Sequence, residues 1–388
     1  MSETYSYDAL TPDDLRARGT VKWNYFDPDV LALWVAEMDY PAPPVVRAAI
    51  QAAVDREEFG YPRMEGATGL PEATADWSES RYGWKIDPSR VHVLPDVLKG
   101  VELAIESYSP AGSAVILLTP AYMPFFEVPK IIERPIVEVP MAVADDRFVL
   151  DLEGIDAAFA AGAGTLILCQ PYNPLGRCFT REELLQLSQV VAKHGGRVAS
   201  DEIHAPLVYA NKHVPYASIS DEAAAHTITL VSASKAWNLP GLKCAQLITS
   251  TDVDEDRWRQ ISMMKTHGAS TMGIASNLAA FRSGGEWLDN TLAYLDTNRR
   301  LLGSLLQEHL PGVGYRVPEA TYMAWLDFSA LDLPDEPAAF FLEEARVAMN
   351  PGLAFGANGA GCARLNFATT TAILEQAITA MGKAVQNR

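Results

Sequence analysis

The chain has 388 residues, 48% of them hydrophobic and 21% charged, an ordinary globular composition at a length that predicts two domains rather than one core. Thirty-one Lys and Arg against 49 Asp and Glu leave a net charge of −18, which argues against a nucleic-acid surface and against adhesion to anionic membranes. No apolar run approaches membrane-spanning length, and Met1 to Asp8 lacks the basic and apolar regions of a signal peptide. Cys169, Cys178, Cys244 and Cys362 have no Cys-x-x-Cys spacing, so reduced, mostly structural thiols in a cytoplasmic protein are expected.

Taken in chain order, Val91–Pro95 reads as a strand feeding a helix from Asp96 to about Tyr108. Ser113–Thr119 is a fully apolar strand stopped by Pro120. Further strands are expected at Arg134–Val139 and Thr165–Gln170. Thr180 then opens a helix with a capping box, because Glu183 lies three residues on, and Gly195-Gly196 stops it after about His194. Strands follow at Arg197–Ile203, Thr227–Ser232 and Cys244–Ser250. Continuous apolar strands alternating with helices predict an α/β fold with a mainly parallel central sheet covered on both faces. Beyond Gly284-Gly285 the pattern changes to a long polar helix, Glu286 to about Leu310. A smaller α/β unit follows, containing Tyr322–Asp327 and Ala363–Phe367. The predicted division is a large domain over 46–284 and a small discontinuous domain made of 1–45 and 285–388.

Ligands of open α/β sheets bind beyond the carboxyl ends of the strands. Those ends carry Pro95–Leu98, Thr119–Tyr122, Gln170–Gly176, Ser200–His204 and Ser232–Lys235. Lys235 is the sharpest of these: an apolar run ends in two serines and a lysine, a good place to hold a cofactor aldehyde as a Schiff base. Taken alone it reads better as a solvent-exposed lysine at a strand end, and only the other segments reverse that reading. Asp201 alone could be a helix or turn cap, although a cap has no reason to end the apolar run Arg197–Ser200; Asn173 reads equally as part of an Asn-Pro turn, and Tyr122 reads as ordinary packing.

Together, Asn173-Pro174-x-Gly176, Asp201 and Lys235 are the ordered triplet of a large family. The chain resembles a fold-type I pyridoxal 5'-phosphate enzyme of the class I/II aminotransferase superfamily. The resemblance implies that Lys235 carries the cofactor, Asp201 pairs with its pyridine nitrogen, Asn173 donates to its phenolate oxygen and Tyr122 stacks on the ring. It also implies a phosphate cradle from Ser232, Ser234 and the amides of Val97 and Leu98, with Lys243 where many relatives have an arginine. His204 joins the cofactor set by the same resemblance. Arg364, with Tyr322 and Ala36, is implied to hold an amino-acid substrate, the arginine meeting its carboxylate. Tyr61 resembles the tyrosine that reaches a neighbouring subunit's phosphate, which implies a homodimer with shared sites. Asp96, beside the expected phosphate, is a departure from the family pattern.

The stretches Gly19–Asn24, Leu33–Pro41, Ser200–His204, Leu239–Gly241 and Thr321–Asp327 narrow the resemblance to the MalY/PatB group of cysteine-S-conjugate β-lyases. Asn24 and Glu37 depart from that group's usual aspartates, and Ala42-Pro-Pro44 is proline-rich. The activity implied is β-elimination from L-cystathionine or a similar conjugate, giving thiol, pyruvate and ammonia. Four rivals stand beside it. An aminotransferase would use the same residues. Ser232-x-x-Lys235 fits a serine acyl-enzyme, although Ser200-Asp-Glu202 and Lys265-Thr-His267 are near misses for its other motifs. An effector-sensing transcription regulator lacks the basic segment it needs. A metal site from Asp201, Glu202, His204 and His213 is conceivable, but the cofactor reading uses Asp201 better and no metal is expected.

Overall fold

The computed structural model describes residues 7–63, 65–209 and 212–388; the amino-terminal part of the signal-peptide reading, residues 1–6, lies outside them. In chain order the central sheet comprises β1 (Val91–Leu94), β2 (Ala114–Thr119), β3 (Ile136–Pro140), β4 (Ala163–Cys169), β5 (Arg197–Asp201), β6 (Thr227–Val231) and β7 (Ala245–Thr249). Their spatial order is β1-β7-β6-β5-β4-β2-β3. β3, β2, β4, β5 and β6 run parallel, while β7 is antiparallel to both β6 and β1. The expected strands are all present, with one informative difference: β5 stops at Asp201 and not at Ile203. The Asp201 carboxylate accepts the Ile203 N–H, turning the chain out of the ladder. A small hairpin, Ala142–Ala144 with Arg147–Val149, was not anticipated; its residues are mostly exposed and give no clean alternation.

Helix α1 (Val97–Tyr108) opens directly off the end of β1 with Asp96 as its cap, accepting the Lys99 N–H at 2.9 Å. Helix α2 (Arg181–Lys193) carries the expected capping box, Thr180 and Glu183 satisfying each other's amides. The long helix α3 (Gly285–His309) buries Leu288, Leu295, Leu302 and Leu306, a stripe at helical spacing. It packs on α4 (Thr371–Gln386), and beside them lies a second sheet of β8 (Gly314–Tyr315), β9 (Met323–Asp327), β10 (Asn350–Pro351) and β11 (Cys362–Asn366), in the order β8-β9-β11-β10. The short strand Leu31–Ala32 pairs in parallel with Val347–Ala348, tying the amino-terminal segment to this carboxyl-terminal region.

Two apolar cores follow. One includes Val115, Ile116, Leu166, Leu168, Val198 and Leu230 of the central sheet. The other includes Leu295, Leu302, Met323, Leu365 and Leu374. Each such side chain contributes about 1.5–3 kcal/mol on burial, enough to hold the strand ends in fixed register. All four cysteines are buried and free. Among the described residues no helix is long and apolar enough to cross a membrane.

Candidate active site

Lys235 follows β6, on the sheet edge that the carboxyl ends of β1, β4 and β5 share. Its Nζ donates to the Ala36 carbonyl at 3.0 Å, and the Tyr322 hydroxyl donates to the same oxygen at 3.0 Å. Burial pulls the amine down to about 8; the Arg364 charge pushes the same way, and Asp201 and Glu37 oppose it. Asp201 ends β5 with 4% of its surface exposed. Burial pushes its carboxyl up to about 7, against the Ile203 N–H bond (3.0 Å) and the Lys235 charge, which favour ionisation. No salt bridge reaches Asp201 among the described residues.

Arg364 enters from β11 in the second sheet, fully buried. Its Nη1 donates to Asn173 Oδ1 at 3.1 Å; its Nη2 donates to the Trp34 carbonyl at 3.0 Å and to Asn350 Oδ1 at 2.6 Å. The Phe355 ring lies 5.0 Å beneath the guanidinium. The buried Nε has no partner, and no carboxylate pairs with the group among the described residues. Burial lowers even this guanidinium, to about 10. An arginine so placed, held by amides and carbonyls only, has capacity left for an incoming anion.

Asn173 sits in the loop after β4. Gln170 and Phe179 exchange side-chain and backbone hydrogen bonds across that loop (3.2 and 3.1 Å). Gly176, at φ +67°, is forced by the approach of Pro318: a Cβ there would stand 2.2 Å from the proline's Cβ. Tyr122 is half-buried and edge-on to Phe125, and burial raises its hydroxyl's pKa against the lowering effect of Arg364. His204 is buried with its ring at 72° to Tyr322, centroids 6.0 Å apart. Burial pushes it down to about 3, so it is a neutral imidazole, and its Nδ1 has no partner.

The expected phosphate cradle is more mixed. Ser232 is committed to the backbone, donating to the Cys244 carbonyl at 2.7 Å and accepting the Ser234 N–H at 3.0 Å. It shapes the loop before Lys235; the Ser234 hydroxyl is half-buried, and Val97 and Leu98 supply amides of the first turn of α1. Lys243 pairs with Asp96 at 3.1 Å. Tyr61 is fully exposed on a loop braced by Thr271, whose hydroxyl donates to the Gly60 carbonyl; within one chain it stands apart from the cleft. The structure therefore draws Lys235, Asp201, Asn173, Arg364, Tyr122, His204, Tyr322 and the Ala36 carbonyl together, and leaves Tyr61 outside. Sequence reasoning missed Asn350, which faces Arg364 across the β10–β11 ladder, and Phe355. Both lie in short irregular segments without periodicity, so no pattern marks them.

A pyridine aldehyde phosphate fits this donor set: an amine near neutrality, a buried acid without a cationic partner, helix amides, and unpartnered N–H or N positions on Arg364 and His204. The conceived metal site does not assemble. Glu202 instead pairs with His213 at 2.7 Å, and among the described residues no group of three or more His, Cys, Asp or Glu is arranged to hold an ion. A mixed sheet carrying this asparagine, acid and lysine along its carboxyl edge has the architecture of a fold-type I pyridoxal-phosphate enzyme.

The chain belongs to the aminotransferase class I and II family, whose model matches residues 28–381. It is 41% identical to the cystathionine beta-lyase of Corynebacterium glutamicum over 366 residues, covering 94% of this chain and 96% of that protein. To the cystathionine beta-lyase PatB of Bacillus subtilis it is 32% identical, covering 92% and 95% of the two chains. A solved structure from Corynebacterium diphtheriae, described as a candidate PLP-dependent beta-cystathionase, superposes with a TM-score of 0.94 at 42% identity, over 97% of this chain and 98% of that one.

Proposed function

We propose that this protein is a pyridoxal-phosphate-dependent carbon–sulfur β-lyase. It would cleave L-cystathionine, or a related cysteine S-conjugate, with water to a thiol, pyruvate and ammonia. The observation that carries the reading is the placing of an amine near neutrality, Lys235, between a buried acid, Asp201, and a buried arginine without an acidic partner, Arg364.

When bound, pyridoxal phosphate supplies an electron sink for the charge left on the substrate's Cα. The chain's residues do the rest. Lys235 Nζ would anchor the cofactor aldehyde and, as a free amine, would take the substrate's Cα proton as general base. Asp201 holds the proton on the pyridine nitrogen. Its carboxyl, reluctant to ionise alone, is matched by that cation. Asn173 and Tyr122 orient the ring, and Val97, Leu98 and Ser234 hold the phosphate at the start of α1. Arg364 fixes the substrate carboxylate, its guanidinium plane set by Asn173 and Asn350. A β-thiolate then departs readily because its conjugate thiol is fairly acidic.

The same reading divides the chain into a large domain over 46–284 and a small one of 1–45 with 285–388, the cleft lying between the two sheets. It makes the protein a cytoplasmic homodimer in which Tyr61, exposed beside exposed Phe59, reaches the partner's phosphate site; the exposed apolar loop supports this. Incubating the purified protein with L-cystathionine and no added keto acid should release pyruvate and free thiol in equal amounts. Rapid amino-group exchange between ordinary amino acids and keto acids, without thiol release, would make it an aminotransferase instead.

A further inference from the structure

The side chains of the Lys22-Trp23 and Trp34–Asp39 stretches have no role in the chemistry above, yet they meet in the structure. Lys22 and Asp39 form a buried ion pair, Nζ to Oδ1 2.9 Å, with side chains 0% and 2% exposed. Trp23 Nε1 donates to the same Asp39 oxygen at 2.7 Å, Lys22 Nζ also donates to the Glu37 carbonyl at 3.1 Å, and Trp34 Nε1 donates to the Lys22 carbonyl at 3.0 Å. The second Asp39 oxygen is buried without a partner. Burying such a pair costs several kcal/mol of desolvation per ion and is a poor route to stability alone. Its value lies in fixing one arrangement of the chain.

That arrangement is the strap Trp34–Met38, which belongs to no helix or strand. Side chains take the place of a ladder. The Trp34 carbonyl accepts from Arg364, and the Val35 and Glu37 carbonyls accept from Asn366 at 2.6 and 2.7 Å. The Ala36 carbonyl accepts from Lys235 and Tyr322. Asn238, three residues after Lys235, brackets Met38 through its N–H (2.9 Å) and its carbonyl (2.8 Å). The two groups proposed for proton transfer and carboxylate binding thus each touch a backbone oxygen whose position the ion pair sets.

We propose that Lys22 and Asp39, with Trp23, are positioning residues of the reaction: their buried pair holds the strap so that the Ala36 carbonyl directs the Lys235 amine and the Trp34 carbonyl sets the Arg364 guanidinium. The inference rests on the roles assigned above to Lys235 and Arg364. A displacement of the strap by about 1 Å costs up to a hundredfold in rate for a group that must meet a proton in line.

The test uses holoenzyme of Asp39→Asn and Trp23→Phe, with kcat and KM on L-cystathionine, visible circular dichroism of the bound cofactor, and melting temperature. Asp39→Asn should lower kcat at least about tenfold through Lys235 and raise KM through Arg364. It should also change the dichroic band, and Trp23→Phe should move all three readings less in the same direction. Wild-type kcat, KM and dichroism at a temperature where the variants stay folded, with only the melting point lowered, would overturn the proposal. Should Asp39→Asn fail to fold, Trp23→Phe keeps the indole site filled by an aromatic ring and decides on the same readings. A wild-type enzyme without lyase activity would sink the functional reading while the dichroic comparison still tests the strap.

Discussion

Asp201→Asn should strengthen the cofactor-free fold and weaken the loaded one. The Asp201 carboxyl is raised from 3.8 to about 7 by burial, a shift of roughly three units at about 1.4 kcal/mol each. Because the folded value lies above the unfolded one, the favourable contribution is complete below pH 3.8 and is lost as pH rises through 7. Above pH 7 the ionised carboxylate costs the empty fold up to about 4 kcal/mol. Asparagine ends the titration and keeps an acceptor for the Ile203 N–H. The cofactor-free variant should therefore gain on the order of 1–4 kcal/mol at pH 8, and the gain should shrink as pH falls toward 5. With cofactor bound the sign reverses, since wild type then gains the carboxylate–pyridinium pair that the variant lacks. Urea denaturation of both proteins, with and without pyridoxal phosphate, at pH 5 and pH 8 reads all four values. A cofactor-free variant less stable than wild type at pH 8, or a gain that does not shrink on acidification, would refute the reasoning.

Lys235→Ala should abolish elimination together with the pH-sensitive absorbance of the lysine-bound cofactor; wild-type turnover in that variant would remove Lys235 from the mechanism. Since the Lys235 amine is held down to about 8, the neutral base accumulates as pH rises through 8, and kcat should climb along an acid limb centred there. A limb centred near the ordinary lysine value would contradict the burial argument. Arg364→Lys keeps the charge but loses the planar fork set by Asn173 and Asn350, so KM should rise roughly ten- to a hundredfold with a smaller effect on kcat; an unchanged KM would place the substrate carboxylate elsewhere. Mixed dimers of Tyr61→Phe and Lys235→Ala subunits should contain one site with both original residues, and an active monomer by sedimentation would end the shared-site idea.

The fold was legible because the strands of the central sheet are short, largely β-branched and apolar runs closed by a polar or proline residue, and that signal needs no tertiary information. Ends were less legible. Asp201 halts β5 through its own hydrogen bond to Ile203, an event of local geometry that hydrophobic periodicity does not encode. Candidate site residues were visible where a charged side chain follows or interrupts an apolar strand, as with Asp201 and Lys235 beyond or at strand ends and Arg364 within β11. Asn350 and Phe355 escaped notice because they lie in short irregular segments, and the strap carbonyls because they act through backbone on partners far away in sequence. Ala36 illustrates the limit: the resemblance marked its position, while the structure shows its carbonyl receiving both Lys235 and Tyr322, a contact that no side-chain pattern announces.

Asp96 shows how an apparent conflict in the sequence dissolves in three dimensions. An acid at the start of the helix expected to hold a phosphate would repel it through space, at several kcal/mol if it faced the anion in a dry site. Instead one carboxylate oxygen caps the Lys99 N–H, and the other pairs with Lys243. The cap itself stabilises α1 by about 1 kcal/mol, and the pair, being exposed on both sides, adds little beyond cancelling the charge. Lys243 adopts a left-handed conformation, φ +51°, on the turn before β7, which places its ammonium beside Asp96. Lysine and acid are then best understood together, as a neutral couple that preserves the positive end of the helix dipole for the phosphate. The Lys243 ammonium neutralises the carboxylate as a point charge, a task that needs no bidentate fork.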